Sequence, residues 1–356
     1  MRKIIPLILS LALVLALAAC GSNDTTSEAT TGTTAAEDTS TPTEVTITSL
    51  NGNGDPTDLT VPYDPQRIAI LDMASLDILD ALGLGDRVVG TASTSLDYLQ
   101  SYINDEVENL GTIKEADLEA VMACEPDVIF IGGRLASSYD SLSEIAPVVY
   151  LATDTETGVV ASVEKNARTI ASLFGLEDQV DQLMEGFDSR IQALAGAAEG
   201  HTAIVGLVTS GSFNVLGNDG RCSIIGREVG YENIGVDAEI DTSTHGNEAS
   251  FEFIVEKDPE YIFVLDRDAA IQTEGAQLAQ EVMENDLVKG TQAYQNGNIV
   301  YLAHPAVWYT AEGGDHGPGP DAAGPGERVA GGVIPAGEKG ARFLRFAVSA
   351  EDLCAS

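Results

Sequence analysis

Residues 117–134 read DLEAVMACEPDVIFIGGR and residues 250–267 read SFEFIVEKDPEYIFVLDR, two copies of one template that decide the fold. In each copy a Glu opens a short amphipathic helix, a proline followed by an acid ends it, and an apolar strand of buried type follows. An Arg (Arg134, Arg267) stands fifteen positions after each Glu. A helix that leads into a parallel strand is half of an α/β unit, and open α/β sheets bind ligands beyond the carboxyl ends of their strands. The repeat therefore predicts two α/β lobes that face each other, each with its Arg at the rim of a binding cleft.

The N-terminus has the features of a targeting signal. Two basic residues precede an apolar run that is too short to span a membrane comfortably, and Leu17-Ala18-Ala19-Cys20 forms a small-residue cleavage site. This tetrapeptide resembles a bacterial lipobox, in which the Cys is lipidated and becomes the first residue of the mature protein. An ordinary signal peptide with an incidental Cys is the alternative. We expect a signal peptide over residues 1–19 and, over 20–44, the lipidated Cys20 followed by a flexible tether rich in Ser, Thr and acids.

The charge balance excludes two classes of partner. The chain of 356 residues has 56 acidic and 18 basic side chains, which give a formal net charge of −38. Such a protein repels nucleic acid and anionic lipid, so neither is expected to be an electrostatic partner. The scarcity of basic residues makes each Arg at a strand end informative. The Cys residues show neither a disulfide framework nor a CxxC metal site.

Length and patterning predict two lobes around a helical connector. Residues 45–159 and 199–314 are each of ordinary domain size, and Ser75 is the expected N-cap of the first helix. Between the lobes, residues 160–198 keep helical periodicity, with Phe174-Gly175-Leu176 as a break near the middle. The expected fold class is α/β, with two doubly wound α/β lobes bridged by one long α-helix.

Several local motifs resemble those of one family. They are Ser75-Leu76-Asp77 with Leu82-Gly83, Pro126-Asp127-Val128-Ile129 with Gly133-Arg134, Ser243-Thr244-His245-Gly246, the segment 258–267, and Trp308-Tyr309. From about residue 45 to 314 the chain resembles the substrate-binding lipoproteins of bacterial ABC importers for ferric siderophores, in the branch that binds petrobactin and related catecholates. The resemblance implies two α/β lobes bridged by a long helix, with the ligand between them. We expect the protein to be a monomer.

Carried over position by position, the resemblance implies that Arg134, Arg221 and Arg267 line the cleft, with Trp308 beside it. A ferric tris-catecholate is a trianion, and an acidic protein repels it unless a local positive cluster outweighs the distant field. Guanidinium is permanently charged, donates through a planar fork and can lie flat on a catechol ring. For any one of these arginines alone, a surface ion pair is the alternative.

His245 and Tyr309 form a second pair of candidates. In relatives, the residues at these positions can complete the iron shell when the siderophore supplies only four donor atoms. Imidazole and phenolate are reasonable ligands for iron with two open sites. A hexadentate siderophore would leave them only to line the cleft, and both interpretations stay open.

Glu119 and Glu252 are candidates for docking rather than for ligand binding. In relatives, the matching acids lie on the outer tips of the lobes and pair with arginines of the permease. Two acids on two lobes suit a two-fold-symmetric partner. The alternative is favourable charge at a helix N-terminus. The implied partners are an ABC permease and its ATPase, and the expected location is the outer face of a cell membrane, with a Gram-positive exterior favoured over a periplasm.

The segment 315–356 departs from the family, whose members end in an amphipathic helix. It has eight Gly and four Pro and no helical period. If its first codons are read one nucleotide later, they permit a peptide with apolar residues at helical spacing. We therefore hypothesise a frameshift, natural or from sequencing, near Gly313-Gly314.

Three other functions fit the sequence less well. The chain has no Walker loop, GxSxG or HExxH, so an enzyme is not expected. A cobalamin or haem binder of the same fold is the main alternative, but the three arginines favour an anionic iron chelate. A surface lipoprotein with no transport role would leave the arginines unexplained.

Overall fold

A computed structural model describes residues 42–154, 157–236 and 246–310 of the chain. The predicted signal peptide, Cys20, most of the tether, His245 and the segment 315–356 lie outside the described residues.

The described residues contain thirteen strands and eleven α-helices. The strands are β1 (Glu44–Leu50), β2 (Pro56–Pro62), β3 (Ile68–Ile70), β4 (Val88–Thr91), β5 (Glu108–Asn109), β6 (Val128–Ile131), β7 (Val148–Tyr150), β8 (Thr202–Thr209), β9 (Ser212–Val215), β10 (Glu232–Asn233), β11 (Asn247–Glu248), β12 (Tyr261–Asp266) and β13 (Ile299–Tyr301). The α-helices are α1 (Met73–Ala81), α2 (Leu118–Ala123), α3 (Tyr139–Ser143), α4 (Val159–Ser172), α5 (Glu177–Ala198), α6 (Ile224–Arg227), α7 (Phe251–Lys257), α8 (Arg267–Ala270), α9 (Ala279–Met283), α10 (Gln292–Gln295) and α11 (Pro305–Thr310). Shorter 3-10 helices cover Gly85–Arg87, Asp97–Tyr102, Gly133–Ser138 and Val288–Gly290.

Each lobe has one central sheet with a point where the strand order reverses, and β1 and β2 form a separate antiparallel pair. The first sheet is parallel throughout, in the order β5-β4-β3-β6-β7, so its switch point lies between β3 and β6. The second follows the order β11-β9-β8-β12-β13, with β10 beside β8, and its switch point lies between β8 and β12, which are parallel. β9 and β11 are antiparallel additions at one edge. The α/β fold class is confirmed.

The sequence repeat is a structural repeat. α2 leads into β6 and α7 leads into β12, and each helix has a side-chain N-cap, Asp117 or Ser250. Each helix is followed by a residue of positive φ, Glu125 at 45° and Asp258 at 41°, directly before the proline. The two segments therefore share helix start, helix stop and strand.

The acid after the proline has a role that the sequence did not reveal. The Oδ2 atom of Asp127 accepts hydrogen bonds from the backbone N–H groups of Gln66 (2.8 Å) and Arg67 (2.9 Å), directly before β3. The Oε2 atom of Glu260 accepts one from the N–H of Thr202 (3.0 Å), at the start of β8, and lies 3.1 Å from Nδ1 of His201. In both lobes the acid thus ties the start of one central strand to the start of its parallel neighbour.

Side chains of the second sheet alternate between two hydrophobic clusters, as the pleat of a strand requires. Ala203, Val205 and Leu207 of β8 join a cluster that also contains the core of the first lobe and the buried face of α4 and α5. Ile204 and Val208 face the other way, into a smaller cluster with α7 and α9. The larger cluster is continuous across both lobes.

The predicted helical segment 160–198 contains two helices, α4 and α5, and the 22-residue α5 is the long helix that leads into β8 of the second lobe. α4 and α5 pack against each other and are separated by residues 173–176, so the break predicted at Phe174-Gly175-Leu176 is confirmed. Gly175 has a φ of +65°, and a Cβ atom there would lie 2.5 Å from the Oη atom of Tyr63. Any other residue would have to adopt this left-handed conformation and displace the Tyr63 side chain, so Gly is favoured at this turn. The N–H of Val159, at the start of α4, donates to Oε1 of Glu228 from the second lobe (2.7 Å).

We expect Asp127→Ala to lower the free energy of unfolding by about 1–2 kcal/mol, because two backbone donors lose their carboxylate acceptor. Asp127→Asn keeps an oxygen acceptor, so its free energy of unfolding should fall by less. Urea denaturation measures both, and Asp105→Ala, at an exposed turn, is the control. Equal stability of Asp127→Ala and the control would contradict the capping role.

The pKa of Glu260 is lowered, first by the Thr202 N–H and then by His201. Because the folded-state pKa lies below the ordinary value of 4.5, this group binds fewer protons in the native than in the unfolded state. Its stabilising contribution is therefore complete above about pH 4.5 and is lost as the pH falls through the folded-state pKa. The urea midpoint of Glu260→Gln should vary less than that of the natural protein between about pH 3 and about pH 6. Parallel curves for the two proteins would refute this.

Candidate functional site

The first half of the site is a crevice at the switch point of the first sheet. It lies beyond the carboxyl ends of β3 and β6, the place where open α/β sheets bind ligands. Polar groups from four segments face it, and they are Asp72, Ser75, Arg134, Thr153 and Asn166.

Asp72 is the N-cap of α1, the role that the sequence analysis assigned to Ser75. Its Oδ2 atom accepts hydrogen bonds from the Ser75 N–H (2.9 Å) and the Ser75 hydroxyl (2.8 Å). Ser75 lies one turn too late to cap, because the helix already begins at Met73. Burial raises the pKa of Asp72, while the bonds from Ser75 and the charge of Arg134 act in the opposite direction.

Arg134 is half-buried in the 3-10 helix that follows β6, and it lines the crevice. Gly132, the first residue after β6, lets the ends of β3 and β6 approach each other. A Cβ atom at position 132 would lie 2.6 Å from Oδ1 of Asp72. Gly132 and Asp72 were not singled out from the sequence, although an acid directly after a buried strand and before a helix was a visible signal.

The second half of the site is built around Arg267, the first residue after β12. Its Nε donates to the phenol oxygen of Tyr309 (3.0 Å), and its Nη1 donates to Oγ1 of Thr209 (3.0 Å), the last residue of β8. The Thr209 hydroxyl in turn donates to Oδ1 of Asp268 (3.2 Å), a buried carboxylate that also accepts from the Ser210 N–H (2.7 Å). Arg267 therefore occupies the second switch point as Arg134 occupies the first.

Arg221 comes to the same tyrosine from another loop. It is buried, and its Nη1 donates to the carbonyl oxygens of Trp308 (2.9 Å) and Tyr309 (2.7 Å) in α11. Its guanidinium carbon lies 4.3 Å from the centre of the Tyr309 ring, and that of Arg267 lies 5.4 Å from it. Two guanidinium groups thus contact one aromatic ring, an arrangement that cation–π attraction stabilises.

The structure brings together three of the predicted residues, Arg221, Arg267 and Tyr309. Trp308 lies next to them but is buried, and its indole N–H donates to the carbonyl oxygen of Ala303 (3.1 Å). Arg134 belongs to the crevice of the other lobe. His245 lies outside the described residues, so the pair that it forms with Tyr309 stays a prediction, as do the ligand-binding roles of all these residues.

Glu119 and Glu252 are exposed in the first turns of α2 and α7. Among residues 42–154, 157–236 and 246–310, no group of three or more His, Cys, Asp or Glu side chains could hold a metal ion. In the same part of the chain, no helix combines the length and apolar character needed to cross a bilayer.

We expect Tyr309→Phe to lower the free energy of unfolding by about 1 kcal/mol, because Arg267 loses one hydrogen-bond acceptor while the ring stays. Tyr309→Leu should lower the free energy of unfolding further, since both guanidinium groups then lose their aromatic partner. Urea denaturation checks the order of the two variants. Tyr294→Phe is the matched control, and a Tyr309→Leu protein as stable as Tyr309→Phe would contradict the cation–π contribution.

Comparison with known proteins places the chain among binding proteins. Residues 68–306 match the family described as periplasmic binding protein. The petrobactin-binding protein YclQ of Bacillus subtilis (strain 168) is 33% identical over 323 residues, which are 88% of this chain and 95% of that protein. The ferric-anguibactin-binding protein FatB of Vibrio anguillarum is 27% identical over 69% of this chain and 76% of its own length.

Solved structures of binding proteins are also similar to this chain. The structure of YclQ matches with a TM-score of 0.69 at 34% identity, over 76% of this chain and 93% of that one. The periplasmic catecholate-siderophore-binding protein VctP from Vibrio cholerae matches with a TM-score of 0.68 at 31% identity, over 76% of this chain and 95% of that one.

Proposed function

This chain belongs to the periplasmic binding protein family, and we propose that it captures an anionic ferric siderophore of the catecholate type between its two lobes and delivers it to an ABC permease. The main support is the pair of arginines, Arg221 and Arg267, that contact Tyr309 at the second switch point. Arg134 lines the crevice at the first switch point, so each lobe has Arg beyond the carboxyl ends of its central strands. In this role the chain binds and releases its ligand without a catalytic step.

The charge of the site fits a ferric catecholate. The chain has a net charge of −38, so a trianion is attracted only where local positive charge outweighs the rest. We propose that Arg134, Arg221 and Arg267 supply that charge. Arg221 and Arg267 also lie against an aromatic face, and a flat catechol ring offers a guanidinium the same surface as Tyr309 does.

The iron itself is cargo. A hexadentate siderophore fills its coordination shell, and the protein then recognises only the outer surface of the chelate. With a tetradentate siderophore, we propose that the phenol oxygen of Tyr309 and the imidazole of His245 complete the shell. Trp308, which is buried and adjacent to Tyr309 in the chain, then serves as a packing residue and a reporter rather than as a direct contact.

The remaining assignments concern delivery. We propose that Cys20 carries a lipid that anchors the mature protein to the outer face of the cell membrane, with residues 21–44 as a tether. Glu119 and Glu252, exposed on separate lobes, are proposed to contact the two halves of a permease that its ATPase drives. The ligand and the permease are then bound by different residues of one monomer.

Fluorescence of Trp308, the only tryptophan, tests ligand capture. We expect saturable quenching of the mature protein by ferric catecholates, petrobactin-type or tetradentate, and none by cobalamin or haem. Arg267→Gln should weaken the binding of the ferric catecholate by about tenfold or more, because a charge-assisted contact is lost. Arg190→Gln makes the same change of charge on the connector helix α5, at a residue that does not line the crevice, and is the control. Quenching by cobalamin or haem alone, or equal affinity of both variants, would overturn the assignment.

A further inference from the structure

The repeat leaves one large apolar side chain in water at the same position of each lobe. Met122 is 61% exposed and Val255 is 40% exposed, and each follows the docking-candidate Glu of its helix by three residues. Residues three apart on a helix are neighbours on its surface, so each acid lies beside an apolar side chain. In the first lobe Leu118, 38% exposed, enlarges the apolar part.

Packing within the lobes does not account for these two side chains. The residue just before each, Val121 or Ile254, is fully buried and holds the helix to its lobe. A single exposed apolar residue is ordinary on a protein surface. Two at equivalent positions of a structural repeat, each one turn from an exposed Glu, form a pattern that the stability of the lobes does not require.

Both helices begin at the edge of the sheet where the cleft opens. The N–H of Asp117, the N-cap of α2, donates to the carbonyl of Leu110 just beyond the carboxyl end of β5 (2.9 Å). Directly before α7, the N–H of Ala249 donates to the carbonyl of Phe213 in β9 (3.0 Å), whose register with β8 places it beside Val208. The first turns of both helices, which contain Glu119 and Glu252, therefore lie at the side from which a ligand would leave each lobe, and each apolar neighbour lies one turn further along its helix.

We propose that two docking patches, Glu119 with Met122 and Leu118, and Glu252 with Val255, contact the two equivalent subunits of the permease through an apolar side chain inserted beside an acid–cation pair. The inference rests on the proposed function, which supplies the partner. The duplication of the patch matches a partner with two equivalent surfaces, and the acids match basic groups on it. Burial of the apolar side chain supplies most of the affinity, whereas the acid sets encounter rate and orientation. The larger first patch contributes more than the second.

The test uses near-isosteric polar substitutions in the full lipidated protein. Met122→Gln with Val255→Thr removes apolar character at almost constant shape. Glu119→Gln with Glu252→Gln removes the charges. Leu287→Gln is the control, because Leu287 is 41% exposed but lies in the loop after α9. Trp308 titration with a ferric catecholate checks that all three proteins fold and bind ligand equally.

Binding of each protein to the detergent-solubilised permease–ATPase complex of its own importer is then measured across a range of salt. We expect Met122→Gln with Val255→Thr to weaken the complex by about tenfold at every salt concentration, and the control to leave it unchanged. Glu119→Gln with Glu252→Gln should mainly reduce the dependence of this affinity on salt concentration. Cellular uptake of labelled ferric siderophore should fall for Met122→Gln with Val255→Thr and stay unchanged for Leu287→Gln.

If the Met122–Val255 variant binds the permease as tightly as the natural protein while the Glu variant does not, the apolar contact is refuted and the proposed function stands. If the natural protein itself binds neither a ferric catecholate nor the permease, the proposed function falls and this inference falls with it.

Discussion

The fold depends on one interaction that occurs twice, a carboxylate placed directly after a proline that binds the start of the neighbouring central strand. Asp127 does this for β3 and Glu260 does it for β8. Because parallel strands keep their register along their length, fixing where two neighbours start also fixes where they end. Arg134 and Arg267, which follow β6 and β12, are thereby held at equivalent positions at the switch points of the two lobes. The binding chemistry thus depends on a contact at the opposite edge of the sheet.

The two lobes are not independent cores. One face of the second sheet packs into the cluster that contains the first lobe and the connector, and Glu228 of the second lobe accepts the first N–H of α4. A carboxylate at a helix N-terminus is favourable both for hydrogen bonding and for the helix dipole. The segment that carries Glu228 begins close to Arg221, so the packing of the connector and the position of that guanidinium are parts of one short stretch of chain.

The sequence was sufficient for features that depend on local pattern. The repeat, the α/β class and the break at Gly175 follow from residues adjacent in the chain, and the structure contains all three. It was insufficient wherever the partner is distant. The bond from Arg267 to Tyr309 joins residues 42 positions apart, and the capping of β3 by Asp127 spans about 60. Asp72 was missed for a different reason, since a nearby Ser offered an equally good N-cap.

The arginines on Tyr309 have two tasks that cannot be separated. Arg221 holds α11 through the carbonyl oxygens of Trp308 and Tyr309, and its guanidinium also faces the ring. Arg267 holds the phenol oxygen of the same ring. In a chain with so few basic residues, the positive charge that an anionic ligand requires is therefore the same charge that fixes α11. A ligand that draws either guanidinium toward itself acts at once on Tyr309, so the state of the cleft and the position of this helix are coupled through one aromatic ring.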